Sequence, residues 1–137
     1  MQRIVLGRMK MFFKYMIIII MMPIFGFSTW QSDQGAEIME ALRTNNSKNI
    51  AKYFGPNISL SIKNESGYYS KYQAEVMLGD FFRSAKAIET KLVQRTNRNN
   101  NNYYLVYQLK TNKGSYRVFV KFNYVDNQSQ LTELRIE

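Results

Sequence analysis

Cysteine and histidine are both missing from the 137 residues. Without cysteine there is no disulfide, no thiolate nucleophile and no cysteine-borne lipid anchor. Without histidine as well, a zinc site would rest on carboxylates alone, a poor donor set for that metal. Ser-His-Asp and Cys-His centres are excluded outright. No cofactor is expected. A long apolar run is missing too. Met16 to Phe27 is apolar for 12 residues, broken only by Pro23 and Gly26, whereas a membrane span takes about 20.

That run does suit the apolar segment of a secretory leader, about 7–15 residues long. Arg3, Arg8, Lys10 and Lys14 form a basic stretch ahead of it, and Gly26 and Ser28 are small residues three positions and one position before a cut after Ser28. The expectation is a signal peptide over 1–28, a linker over 29–35 and one domain over 36–137. The alternative is an uncleaved anchor, with residues 16–27 held in the inner membrane. The start of translation stands open between Met1, Met9 and Met11. The chain is expected to be exported, periplasmic or secreted, and to touch a membrane only through this segment.

The leader holds four of the 19 basic residues and none of the 10 acids. The remainder has fifteen basic residues against ten acids, net +5. A nucleic-acid binder concentrates its charge in a stripe. The modest excess and the expected export argue against that partner.

The chain is organised around Ser70 to Arg83. Ala74, Met77, Leu78, Phe81 and Phe82 recur at helical spacing and form one apolar stripe. Ser70 with Gln73 is a capping-box pattern that starts the helix. Two phenylalanines need a covering surface, which the strands after residue 86 supply.

Upstream, Ser32 or Asp33 caps a helix to about Arg43, with Ile38, Met39 and Leu42 on its apolar side. Asn45-Asn46-Ser47 is a turn, and Ser47 caps a short helix through Tyr53 that Gly55-Pro56 stops. Ile58, Leu60 and Ile62 alternate with Ser59, Ser61 and Lys63 as a half-buried strand. Asn64 to Gly67 turns into a short returning strand over 67–69. Downstream, four strands are expected at about 87–97, 103–111, 115–124 and 130–137, and Asn99 to Asn102 reads as a loop.

Side-chain parity sets the registers. A turn at Lys113-Gly114 pairs Leu109 with Val118, Tyr107 with Val120 and Leu105 with Phe122. A loop centred on Asn127 pairs Val120 with Leu134 and Val118 with Ile136. On the opposite face it sets Lys121 against Glu133 and Arg117 against Glu137, pairs worth roughly 0.2–1 kcal/mol each.

The element order resembles the cone of the nuclear-transport-factor-two-like superfamily, an α+β fold in which a curved antiparallel sheet wraps helices. Asn49-Ile50-Ala51-Lys52-Tyr53-Phe54, Tyr69 to Glu75, Asp80-Phe81-Phe82 and Leu134-Arg135-Ile136-Glu137 resemble the domain-of-unknown-function 4783 family of small exported bacterial proteins, over about 36–137. The resemblance implies the fold and an exported location, and no activity. Within the superfamily stand isomerases, dehydratases and binding domains, so the fold does not choose between them.

Asp80 is the acid of the central helix's aromatic segment. Enzymes of this fold use an acid inside the cone as general base, but Asp80 falls beside Gly79, away from the stripe. Gly79 itself is read as allowing close packing of the helix. Tyr103, Tyr107, Tyr116 and Tyr124 share the apolar face. They are core residues, or they line a pocket near the open end with their hydroxyls. Arg117, Phe119, Lys121 and Arg135 are either a paired, solvated face or a basic aromatic platform for an anion or a nucleic-acid single strand. Tyr68, Tyr69 and Tyr72 form an aromatic patch at the helix start.

The expected function is non-catalytic binding of a small molecule, peptide or envelope partner through the cone or the sheet face. The alternatives are a small isomerase- or hydrolase-like enzyme using Asp80 and the tyrosines, and a homodimer or larger assembly through a free sheet edge.

Overall fold

Asp33 caps the first described helix by accepting a hydrogen bond from Gly35 N at 3.0 Å. The computed structural model describes residues 33–99 and 102–137. The expected leader, its cut after Ser28 and most of the expected linker lie outside these. Helix α1 runs Gln34–Arg43, so the domain starts ahead of Ala36, inside the expected linker. Helix α2 runs Ser47–Ala51, and its cap is Asn46, whose side chain accepts from Asn49 N. Ser47 is therefore the first helical residue rather than the cap. Gly55 and Pro56 belong to strand β1, Phe54–Ile62.

Strand β2, Glu65–Ser70, pairs antiparallel with β1 around a turn at Lys63-Asn64, tighter than the expected turn over 64–67. Ser70 then caps helix α3, Lys71–Ser84, with the full reciprocal box to Gln73. The meander follows as β3 Ala87–Asn99, β4 Asn102–Thr111, β5 Gly114–Val125 and β6 Gln128–Ile136.

The six strands form one unclosed sheet in the order β2-β1-β6-β5-β4-β3. One pairing departs from the antiparallel expectation: β1 lies parallel to β6, with Leu60 beside Leu134 and Ile62 beside Ile136. The last strand thereby joins the first hairpin to the meander.

The β5–β6 register is as expected, Val118 beside Ile136 and Val120 beside Leu134. The β4–β5 register is displaced by two residues. The turn is Asn112-Lys113, and Leu109 faces Tyr116, Tyr107 faces Val118 and Leu105 faces Val120. A slip of two preserves parity, so every side chain keeps its face.

One face of the sheet is covered by helices. Helix α1 lies over β3 and β4, and α3 over β1 and β2. Ala74, Leu78, Phe81 and Phe82 of α3 are buried there in one core with Leu105, Val118, Val120, Phe122, Leu134 and Ile136. Burying one such side chain contributes about 1.5–3 kcal/mol, which outweighs any surface pair. Gly79 lets α3 cross α2 closely, for a Cβ there would stand 3.2 Å from Ser47 Oγ.

Candidate functional site

The cone is filled. Phe81 and Phe82 meet edge to face, and Phe81 does the same with Tyr116. The four candidate tyrosines share parity but not a pocket. Tyr107 is fully buried and donates its hydroxyl proton to Gly35 O at 2.8 Å. Tyr103 is half-buried, stacked on Phe122, and its hydroxyl donates to Gln34 Oε1. Burial pushes both phenols above the usual tyrosine range. Tyr116 packs against Phe81, well along the sheet from Tyr103, and Tyr124 is 47% exposed. Tyr103 and Tyr107 thus meet the start of α1 while Tyr116 meets Phe81, so the four hydroxyls are not gathered in one place.

Asp80 faces water. Its side chain is 61% exposed and ion-paired with Arg83 one turn on. An enclosed general base is therefore not what this geometry offers. Among the described residues no three acids gather as a metal cluster.

The outer face of the sheet is different. Phe119 sits between Val106 on β4 and Arg135 on β6. The Arg135 guanidinium lies 4.6 Å from the Phe119 ring centroid. The Tyr104 ring lies 5.1 Å from Phe119, with Lys121 Nζ 5.7 Å and Arg98 Cζ 5.3 Å from its centroid. Phe119, Lys121 and Arg135 are thus brought together as a platform. Tyr104 and Arg98 complete it and were missed, although Tyr104 shares the parity of Val106 and Gln108.

Arg117 is exposed on the same face without stacking. Its backbone exchanges hydrogen bonds with Glu137 at 2.7 and 2.9 Å. The expected cross-strand ion pairs do not form: Glu133 and Glu137 both turn to Arg135 on their own strand, each at 3.6 Å. Among the described residues Arg117 and Lys121 therefore have no acid partner. Further out, Glu89 is held below the usual carboxylate range by a hydrogen bond from Lys91.

A second feature lies at the rim, where an open groove of about 390 Å³ separates the Lys63-Asn64 turn from α3. Ile62, Lys63, Asn64 and Glu65 form one wall, and Met77, Asp80, Phe81 and Ser84 form the other. Of the expected aromatic patch, Tyr68 and Tyr72 are 80% and 74% exposed, while Tyr69 packs partly on the core.

This architecture, helices on one face of a curved, unclosed sheet, is that of the nuclear-transport-factor-two-like and cystatin-like folds. The model of the domain of unknown function 4783 family matches residues 35–137, and the chain belongs to that family. A family member from Bacteroides uniformis superposes with a TM-score of 0.72 at 26% identity, over 77% of this chain and 96% of that one. Another, from Bacteroides fragilis, gives 0.69 at 26% identity, over 76% and 97%. A domain of unknown function with a cystatin-like fold from Nostoc punctiforme gives 0.59 at 10% identity, over 74% and 70%, a likeness of fold alone. No curated protein matches the chain.

Proposed function

We propose that this chain is an exported, non-catalytic binding module that holds an anionic envelope partner on the outer face of its sheet. The observation that favours a surface site is the burial of Phe81, Phe82 and Tyr107 inside the cone, where they are 4%, 3% and 0% exposed. On that surface Arg135, Lys121 and Arg98 lie across the Phe119 and Tyr104 rings. Their contact with the rings orients the cations while their heads stay in reach of a ligand. Arg117 and Lys121 add charge with no direct ion-pair partner among the described residues, while Glu133 and Glu137 both turn to Arg135.

The sheet edges favour assembly less. The exposed edge strand β3 carries three register shifts, at Ala87/Glu89, Leu92/Gln94 and Asn97/Asn99. Bulges of that kind break up a template for strand addition. At the other edge, β2 is six residues long. Asp80, on the surface and paired, supports no catalytic role.

Titration of the purified protein with dextran sulfate and with neutral dextran tests the proposal. Binding to the sulfated polymer alone is expected, weakening as salt rises. Lys121→Glu with Arg117→Glu abolishes it, and Lys48→Glu on the helical side does not. Absence of binding at low salt, or equal loss in both variants, overturns the assignment.

A further inference from the structure

We propose that the rim groove beside Lys63 is a binding site for a small monocarboxylate with an apolar body. Lys63 sits at φ 54°. That left-handed conformation costs a residue with a Cβ more than it costs glycine, and asparagine tolerates it better than lysine. Backbone in such a conformation persists where its surroundings hold it and gathers at ligand sites. Here Lys63 N donates to Ile136 O at 2.9 Å, so the turn is tied to β6.

The side chain accounts for the choice of lysine. Its Nζ lies 6.0 Å from the Phe81 ring centroid and 5.6 Å from that of Tyr116. Among the described residues it has no ion pair. An ammonium has three N–H donors. Two ring faces orient it without accepting a conventional hydrogen bond. A carboxylate entering the groove meets a cation already aimed and short of acceptors.

The rest of the groove selects the ligand. Met77 and Phe81 make the α3 wall apolar, and a volume of about 390 Å³ accommodates a ring-sized body. Asp80 on the rim is matched by Arg83, which leaves Glu65 as the wall's remaining anion. The carboxylate sits against Lys63, and Glu65 with Asp80 on the same groove repels a second negative charge, which disfavours a phosphate dianion. The groove is separate from the outer sheet face, so either assignment fails without the other.

Titration with phenylacetate, followed by backbone amide NMR shifts, tests the site. Saturable shifts are expected at Lys63, Asn64, Phe81 and Ser84. Phenyl phosphate binds about tenfold more weakly and phenethylamine does not bind. Lys63→Arg keeps the site. Lys63→Gly relieves the backbone, so its melting temperature is no lower than that of the unaltered protein, yet its affinity falls about tenfold or more. Absence of saturable shifts at millimolar phenylacetate, unaltered binding by Lys63→Gly, or preference for phenethylamine overturns the proposal. A lower melting temperature in Lys63→Gly overturns its premise, because the lysine would then be holding the turn.

Discussion

Tyr107 and Gly35, 72 positions apart in sequence, are joined inside the core by a hydrogen bond of 2.8 Å from the phenol to the backbone carbonyl. A buried hydroxyl needs a partner, and this bond fixes where α1 lies on β4. Gly35 permits the approach: a Cβ there would stand 3.2 Å from Leu105 Cδ1 and 3.7 Å from the Tyr107 hydroxyl. Tyr107→Phe is expected to cost about 1 kcal/mol, read as a lower urea midpoint with unchanged slope. Gly35→Ala should also destabilise, and the double variant should lose less than the sum, because both changes disturb one contact. An unchanged midpoint in Tyr107→Phe would show that the bond contributes nothing.

The same burial sets a pH dependence. Tyr107 and Tyr103 are both raised above the ordinary tyrosine value, first by burial. A raised folded pKa favours the protonated form, so the stability it contributes is complete below about pH 10, the unfolded value. It is lost as pH climbs from there toward the folded values. The urea midpoint is expected to hold level from neutrality to about pH 9 and to fall above about pH 10. Tyr107→Phe starts lower but falls less steeply. A parallel decline in the two proteins would remove Tyr107 as the cause.

Asn45 carries a second long-range tie. It sits at φ 57° just past α1, where Asn46 N donates to Ala41 O and Asn45 N to Leu42 O, the paired bonds of a Schellman motif. Glycine is the common residue there. Asparagine adds a side-chain acceptor, Oδ1, for Ala87 N at 2.8 Å, which fastens the start of β3. Asn45→Gly should lose about 0.5–1.5 kcal/mol with that bond. Asn45→Ala should lose roughly 1–2 kcal/mol more, from the Cβ in the left-handed region. Thermal melts that rank alanine at or above glycine would refute this account.

The faces of the sheet were legible in the sequence because parity survives errors of register. Placing the β4–β5 turn at Lys113-Gly114 rather than Asn112-Lys113 moved each pair by two, yet Leu105, Tyr107, Leu109, Val118, Val120 and Phe122 all point inward as expected. Gly114, at φ 142°, ends the turn rather than forming its centre. The capping box of Ser70 and Gln73 was legible for a related reason: both its bonds are local. The parallel union of β1 with β6 was not, since alternation says which face is buried and nothing about which strand lies alongside. Within the candidate site, parity placed Phe119, Lys121 and Arg135 on one face. It placed Tyr104 there as well, but a tyrosine beside three others reads as core. Lys63 gave no signal at all, for its distinction lies in a backbone angle.

The proposed export carries a prediction about where the mature chain begins, ahead of α1. A cut after Ser28 leaves residues 29–32 ahead of Asp33, whose carboxylate caps α1 and also meets Arg95 at 3.4 Å. Processing frees a positive α-amino group, which is unfavourable at the positive end of a helix dipole. Four residues of spacing keep that charge off the cap, whereas a cut after Ser32 would put it on Asp33 itself. The expected product therefore begins at Thr29, read as the intact mass of the secreted or periplasmic chain. A mass that retains residues 16–27 would mean an anchored protein. The outer sheet face would then be tethered at the membrane, and the partner it reaches would have to lie at that surface.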